Sequence, residues 1–506
     1  MKKLVLGLMA AASLASAGAT DFTNGVFVLN EDWFGHNASS VNFFNHADSS
    51  FVFNAFSTVN TDLTLGNTTQ FAQLYGDNIY FMSKQNYSTT GGRLIVADAK
   101  TLVRKFSLDA IGSGDGRAYL GVNPSKGYVG TSKGLYVFDQ ANLALGDKID
   151  GTDYEIGDMI RVGNYVYAVG GGKVLLVINP ETDKVEKSLS ITNLSTVFVS
   201  HSGNVYANVN SATWGLPSSS ATEQFLRIDP STLEVADTIK VGMAAQNTKF
   251  AWAHSAPAID PETDAIYYSP AGSSSIICKY DFTTGEFTQS FVTFPDSHIM
   301  YEAVVGVDPH NGDLLATTFE SYSSQNYWLE RFDRKTGALK KSLKLSKENY
   351  WFPAMLFFPD TEAPVINIDD QTIDVAGEGV QFDLLSTVTD ADNQAALIVT
   401  SATSADTNVV TASVNGFKLD LVGVTTGSTT VTITACSNGK TVSKDIKVTV
   451  GASTGVKDAE VAERQVADVT YYNVAGVAAQ EPFSGINIVV TRYTDGTTST
   501  VKRVIR

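Results

Sequence analysis

The sequence predicts an all-β protein in three parts: a seven-bladed β-propeller, a two-sheet β-sandwich and a small β tail. Three observations lead to this prediction. One hairpin phrase recurs through the first two thirds of the chain, a Val- and Thr-rich run of alternating strands follows residue 360, and strand-like segments end the chain. The length of 506 residues also exceeds that of one ordinary domain, so several domains are expected.

The recurring phrase is an alternating strand, a polar turn and a second strand. Each copy has an Asn or Asp where the turn begins, and such a side chain accepts a hydrogen bond from the backbone two residues on. The clear copies are LIVADAKTLVRKFSL at 94–108, LYVFDQANLALGDKI at 135–149, LLVINPETDKVEKSL at 175–189, FLRIDPSTLEVADTI at 225–239, ICKYDFTTGEFTQSF at 277–291 and WLERFDRKTGALKKS at 328–342, after a weaker one at 41–56. The anchors are Asn45, Asp98, Asp139, Asn179, Asp229, Asp281 and Asp333.

A second hairpin precedes most copies, so each repeat of 40 to 53 residues predicts four antiparallel strands. Four strands at this spacing are typical of a propeller blade, and seven copies predict seven blades. A β-sandwich is the alternative for this region, but it would need no regular phrase.

Closure of the ring is also predicted. The first copy has only three candidate strands, at 25–30, 40–44 and 51–56, while an apolar strand at 351–358 follows the last copy. That strand can complete the first blade and remove the exposed sheet edges of an open ring. We therefore expect a propeller over residues 20–360.

The next segment, 361–451, has short alternating strands typical of an immunoglobulin-like sandwich. It resembles the bacterial Ig-like and cadherin-like spacer domains of surface proteins. Within it, Asp390, Asp392 and Asn393 lie close together in VTDADNQ. We interpret them as a polar turn, with a calcium site as the alternative.

The start of the chain predicts export. Lys2 and Lys3 precede an apolar run at 4–14 and an Ala-Ser-Ala pattern, so residues 1–19 are expected to be a signal peptide. The run is not followed by the Cys of a lipoprotein, and no later stretch is apolar enough to span a membrane. The net charge of −17 argues against nucleic acid and anionic membrane surfaces as partners.

Residues 452–506 are a linker and a tail that ends in YYNVAGVAAQEPFSGINIVVTRYTDGTTSTVKRVIR. This ending resembles the C-terminal sorting tails of Bacteroidota proteins exported by the type IX system. The resemblance implies a cell-surface or extracellular protein. A further β-hairpin module is the alternative.

Strand order separates the connections of a propeller onto two faces. The tight-turn face carries the first-to-second and third-to-fourth turns of each blade; the loop face carries the remaining connections, which are longer and hold all five Trp residues. Aromatic, amide and imidazole groups on such loops suit a ligand that is large and partly apolar. The candidate ligand-binding residues are Trp33, Phe34, Tyr87, Trp214, Trp252, His254, His298 and Tyr322. Trp328 and Trp351 could equally be core residues.

A catalytic site is less well supported. The six histidines are scattered, although the ring could bring His36, His254 and His298 near Asp32, Asp296 or Glu302. Cys278 and Cys436 fall in different predicted domains and read as small buried residues. We predict no enzyme activity, no cofactor and no metal site.

The start GVFVLNEDWFGHNASSVNFF and the repeated hairpins resemble the YncE-like, YVTN-type propellers of Bacteroidota surface proteins. Within that group, the opening Asn30-Glu31 with Gly35 resembles propellers that capture cobalamin beside a TonB-dependent outer-membrane transporter. The resemblance implies a small-molecule ligand of the corrinoid class and an outer-membrane transporter as a partner. The alternatives are a surface protein that binds a protein or glycan and, less favoured, a propeller hydrolase or lyase.

Overall fold

The computed structural model describes residues 21–33, 36–85, 90–209, 224–243, 256–270, 273–302, 304–345, 351–375, 377, 379–451 and 465–505. These residues form an all-β, propeller-like structure. Its first part contains seven four-stranded antiparallel sheets, here called blades 1 to 7.

Each blade is a meander of consecutive strands, except that blade 1 takes its innermost strand from the far end of the ring. Blade 1 contains β1 (Gly25–Asn30), β2 (Ser40–Asn45) and β3 (Ser50–Val52), with β28 (Pro353–Phe357); blade 2 contains β4 (Asn67–Tyr75), β5 (Asn78–Gln85), β6 (Leu94–Asp98) and β7 (Arg104–Leu108); blade 3 contains β8 (Gly116–Asn123), β9 (Lys126–Thr131), β10 (Gly134–Asp139) and β11 (Ala144–Lys148); blade 4 contains β12 (Ile156–Val162), β13 (Tyr165–Gly170), β14 (Val174–Asn179) and β15 (Lys184–Ser190). Blade 5 contains β16 (Leu194–Val199), β17 (Val205–Val209), β18 (Gln224–Asp229) and β19 (Glu234–Lys240); blade 6 contains β20 (Ala258–Ile259), β21 (Ala265–Tyr268), β22 (Ile276–Asp281) and β23 (Phe287–Thr293); blade 7 contains β24 (Val305–Val307), β25 (Leu314–Phe319), β26 (Tyr327–Phe332) and β27 (Leu339–Leu345).

The ring closes through β28, which pairs antiparallel with β1. The rings of Phe27 and Phe357 stack across this pair with centroids 4.6 Å apart. Innermost strands of neighbouring blades contact each other at β28–β4, β4–β8, β8–β12, β12–β16, β20–β24 and β24–β28. The closing strand thus occupies the position expected from the sequence.

One expected strand is shorter than predicted. The segment 51–56 leaves the sheet at Val52, and a short helix α1 (Ala55–Val59) follows. Asn54 has a left-handed backbone (φ 50°), which cannot continue a strand. The turn buries Ala55 and Phe56 in the core beneath blades 1 and 2.

The turn anchors act as predicted. Asn45, Asp98, Asn179, Asp229, Asp281 and Asp333 each accept a hydrogen bond from the backbone two residues on. Asp139 accepts one from the third residue on instead. Each repeat therefore fixes its own tight turn through a local hydrogen bond.

The second part contains two facing sheets around one apolar core. One sheet has the order β30-β37-β36-β33 and the other β31-β35-β34, with a small pair β29-β32 beside them. Its elements are β29 (Val365–Ile366), β30 (Gln371–Asp374), β31 (Val380–Asp383), α2 (Leu384–Thr387), β32 (Val388–Thr389), β33 (Val399–Ser404), β34 (Val410–Asn415), β35 (Lys418–Gly423), β36 (Gly427–Ser437) and β37 (Lys440–Gly451). Short 3-10 turns occur at Pro295–Ser297 in the ring and Ala395–Leu397 here.

This second part rests on the tight-turn face of the ring. Phe417 packs beside Gly203, where a Cβ would come within 2.5 Å of the Phe ring. The main chain of Gly76 donates to the carbonyl of Asn438 (2.8 Å), and Asn438 Nδ2 donates to Asp360 (2.6 Å). Lys440 also forms an ion pair with Asp360. Turns of blades 2 and 5 are thus covered by the second part.

The tail forms a four-stranded sheet in the order β39-β38-β40-β41. Its strands are β38 (Val466–Asn473), β39 (Ala478–Ala479), β40 (Gly485–Tyr493) and β41 (Thr498–Ile505). Within the described ranges, no helix has the length and apolar character needed to cross a membrane.

Candidate functional site

The two faces of the ring differ in the length of their connections. Tight-turn connections are two to six residues long, whereas the longest loop-face connection, between β19 and β20, has seventeen residues. The β1–β2 loop, the end of β5 and the segment before β24 all lie on the loop face. The longer connections make the loop face the candidate for a ligand site.

The structure places three of the eight candidate residues. Trp33 is 45% exposed and stacks on His36 with ring centroids 4.0 Å apart, and Tyr322 is 58% exposed. His298 is only 5% exposed; its Nδ1 lies 3.1 Å from Glu330 Oε1, and its ring stacks on Trp328. Phe34, Tyr87, Trp214, Trp252 and His254 lie outside the described residues.

His298 is buried, whereas the sequence predicted a ligand-binding residue on the loop face. A ligand on the loop surface would meet Trp33 and Tyr322, while His298 is held inside blade 7 by Glu330. Of the histidines in the catalytic grouping considered above, His36 stacks on Trp33 and His298 pairs with Glu330, while His254 lies outside the described residues.

An aromatic wall surrounds Tyr322. Its ring lies 5.0 Å from that of Phe319 and 6.3 Å from that of Tyr301, and Tyr301 lies 4.9 Å from Phe352. Phe352 belongs to the segment that closes the ring, and its carbonyl accepts a hydrogen bond from Glu31 N (3.0 Å). The wall therefore joins blade 7 to blade 1 at the mouth of the ring.

A buried polar network continues from this wall. Glu31 Oε2 accepts hydrogen bonds from the Tyr301 hydroxyl (2.9 Å) and from Gln70 Nε2 (2.5 Å). Lys84 Nζ donates in turn to Gln70 Oε1. Four side chains from blades 1, 2 and 7 thus form one chain of donors and acceptors. We call Glu31, Gln70, Lys84, Tyr301 and Glu302 the mouth network.

Burial, more than pairing, sets the ionisation of the mouth network. Loss of hydration raises the pKa of Glu31, although Lys84, Gln70 and Tyr301 oppose the rise. Burial together with the charge of Glu31 raises the pKa of Glu302 to about 8, while burial lowers the pKa of Lys84 well below its usual value. Buried titratable groups with perturbed pKa values are candidates for a functional site.

Two further polar contacts lie where the inner strands of blades 3 to 5 begin. Arg117 Nε donates to Glu155 Oε1 (2.6 Å), and Thr196 Oγ1 donates to Asp158 Oδ2. The charges of Arg117 and Glu155 are close enough to act on Lys84. Polar groups from much of the ring therefore converge on its loop-face mouth.

Sequence reasoning did not identify the mouth network. Its members are separated by up to 271 residues, from Glu31 to Glu302, and only ring closure brings them together. One signal was present: Lys84 lies in strand β5 (NIYFMSKQ) shortly after its apolar run, and a lysine is rarely fully buried unless it is paired.

Comparisons with known proteins agree with the fold. The family model "Domain of unknown function (DUF5074)" matches residues 24–359, which is the ring as described above. A search of curated proteins found no match. Among solved structures, the chain resembles a quinonprotein alcohol dehydrogenase-like protein from Bacteroides thetaiotaomicron, with a TM-score of 0.52, 14% identity, and coverage of 67% of this chain and 79% of that one.

At 14% identity the structural likeness shows the fold alone, a propeller-like one. The family match extends over more than half of the chain. The protein therefore belongs to the DUF5074 family.

Proposed function

We propose that this is an exported, non-enzymatic binding protein whose seven-bladed propeller captures a ligand on its loop face. The observation that carries the proposal is the mouth of the ring, where the aromatic wall of Tyr301, Tyr322 and Phe352 adjoins the buried Glu31–Gln70–Lys84 chain. An apolar wall beside a few converging polar groups is the usual composition of a small-molecule site.

The ligand class that we favour is a corrinoid. Such a molecule is large, has flat apolar faces and carries amide groups at its edge, so it would stack on Trp33 and Tyr322 and exchange hydrogen bonds with groups such as Gln70. The Asn30-Glu31 opening, which resembles that of cobalamin-capturing propellers, supports this choice because Glu31 lies within the mouth network.

The remaining parts fit an exported capture protein. The 361–451 segment, proposed as an immunoglobulin-like spacer, occupies the tight-turn face and leaves the loop face to the ligand. The tail, proposed as a type IX sorting signal, would deliver the protein to the cell surface or the medium. An outer-membrane transporter is a possible partner there.

The mouth network can bind without transforming a ligand. The Glu31 carboxylate and the Lys84 amine already have hydrogen-bond partners in the Tyr301–Glu31–Gln70–Lys84 chain. The alcohol dehydrogenase-like name of the similar structure describes that protein and, at 14% identity, lends no activity to this one.

Isothermal titration of the full chain with cyanocobalamin tests the proposal. Tight binding is expected, and Trp33→Ala should weaken it at least about tenfold, because truncating a Trp that anchors an interface costs about 2 kcal/mol or more and about 1.4 kcal/mol corresponds to tenfold. Val103→Ala is the control, since Val103 is an exposed side chain on the tight-turn face.

A flat titration would remove the corrinoid assignment. A glycan or protein array would then test the alternative, a surface interaction protein, for which exposed loop aromatics would serve equally well. Metal-dependent turnover of a substrate would contradict the proposal that the protein is not an enzyme.

A further inference from the structure

On the tight-turn face, away from the mouth network, two histidines and an aspartate meet where the first and last blades adjoin. His46 follows strand β2 in blade 1, whereas Asp308 and His310 lie in the β24–β25 turn of blade 7. Their possible ligand atoms all lie within 4.8 Å of one another. Residues 262 positions apart in the chain, His46 and Asp308, are thus brought together by closure of the ring.

Asp308 is the centre of the group and is fully buried. The turn positions it, since the backbone N–H of His310 donates to Oδ1 (2.9 Å) and Asn311 Nδ2 donates to Oδ2 (2.8 Å). A carboxylate has about four acceptor sites, so each oxygen retains a further one. Each of them faces an imidazole: His46 Nε2 lies 2.8 Å from Oδ2, and His310 Nδ1 lies 3.4 Å from Oδ1.

His46 lies at hydrogen-bonding distance from Asp308, but the two groups are poorly aligned. Its Nε2 is shielded from solvent and, despite the 2.8 Å separation from Asp308, makes no hydrogen bond of acceptable geometry. One cation could be bound by the lone pairs of both the imidazole nitrogen and the carboxylate oxygen. Such an ion would explain why the two atoms are close but misaligned.

The remaining surroundings suit such a cation. The backbone of Thr23 lies close enough to the His310 ring to act on it, and a backbone carbonyl beside the outer ring nitrogen is usual for a metal-bound histidine. The charge of Asp392, in the second part of the chain, also acts on His310. Two imidazoles with one carboxylate form a ligand set suited to zinc and related transition metals rather than to calcium or magnesium.

We propose that His46, Asp308 and His310 bind one divalent transition-metal ion, with Zn²⁺ as the probe, and that the ion clasps blade 1 to blade 7. The ion would supplement the closure of the ring that the β28–β1 pairing provides. This inference is independent of the loop-face ligand.

Zinc titration of the untagged full chain tests the clasp after treatment with EDTA and removal of the chelator. Calorimetry and elemental analysis should find one Zn²⁺ per chain, and zinc should raise the melting temperature. His46→Gln and His310→Gln should each weaken zinc binding at least about tenfold and abolish the thermal shift, since each removes a ligand. His201→Gln is the matched control, because His201 is an exposed histidine in another tight turn, between β16 and β17.

Less than one equivalent of zinc in the wild-type chain would overturn the site. So would an affinity that survives both substitutions or that falls equally in His201→Gln. Stoichiometric binding without any rise in melting temperature would overturn the role as a clasp. Circular dichroism of each variant without zinc checks that the fold is intact, so a loss of binding can be assigned to the missing ligand.

Discussion

The loop face and the tight-turn face of the ring are built by the same strands but hold different kinds of interaction. On the tight-turn face, turn anchors bond to their own backbone and the second part of the chain packs against the turns. On the loop face, aromatic rings remain exposed and charged groups are buried with perturbed pKa values. Local bonds shape the turns of the first face, apart from the long-range His46–Asp308–His310 group, while the second face depends on long-range contacts that a ligand could exchange.

Two tryptophans of the loop face should differ most in their contribution to stability. Trp351 is fully buried against Phe53, so Trp351→Ala should lower the free energy of unfolding by about 3–5 kcal/mol. Trp33 is 45% exposed, and Trp33→Ala should change it by less than about 0.5 kcal/mol. Urea unfolding followed by circular dichroism measures both; similar losses would show that Trp33 is structural too.

The mouth network should make stability depend on pH. Glu302 has an ordinary pKa of 4.5 that burial and Glu31 raise to about 8, so the folded state is relatively favoured below pH 4.5 and loses stability as pH rises towards 8. Glu302→Gln removes this titration and should stabilise the protein by about 2–4 kcal/mol at pH 8. It should have little effect near pH 4. The free energies of unfolding of the wild-type chain and of Glu302→Gln, measured from pH 4 to 9, test this pH dependence. Parallel curves for the two chains would refute it.

The contact between the two parts is expected to contribute less. Phe417 is half-buried against the turn at Gly203, and Phe417→Ala should cost about 1–2 kcal/mol. The exposed Val422 on the same part supplies the control Val422→Ala, for which we expect less than about 0.5 kcal/mol. Limited proteolysis between residues 358 and 365 should accelerate only in the Phe417 variant; unchanged cleavage would mean that the parts are not held by this contact.

A single turn anchor should have the smallest effect. Asp98 accepts hydrogen bonds from the backbone of Lys100 and Thr101, and Asp98→Ala should cost about 1 kcal/mol without any change in ligand affinity. Thermal melts and titrations of Asp98→Ala beside Asp98→Asn, which keeps an acceptor, measure this. A large effect on affinity would contradict the separation of the two faces.

The sequence was sufficient to predict what depends on local pattern. Period-2 alternation gave the strands, the Asx anchors gave the turns, and the incomplete first repeat with the apolar strand at 351–358 predicted closure by β28. The predicted extent of the strand at 51–56 was wrong, because a single residue sets the backbone conformation there. The left-handed conformation of Asn54 ends β3 early.

The candidate site was predicted only in part, for a physical reason. Exposed aromatics such as Trp33 and Tyr322 stand out in polar loops, but a buried charge such as Glu31 has no local signature. Its partners Gln70 and Tyr301 lie 39 and 270 positions away, so ring geometry rather than pattern determines the contact. The His46–Asp308 contact was missed for the same reason.

The central claim is that the loop face binds the ligand and the tight-turn face does not. Titration of cyanocobalamin into Tyr322→Ala and Phe417→Ala, beside the wild-type chain, tests it most directly, because each variant removes one aromatic ring from one face. We predict that Tyr322→Ala weakens binding at least about tenfold and that Phe417→Ala leaves it unchanged. Weaker binding in Phe417→Ala with full affinity in Tyr322→Ala would contradict the claim.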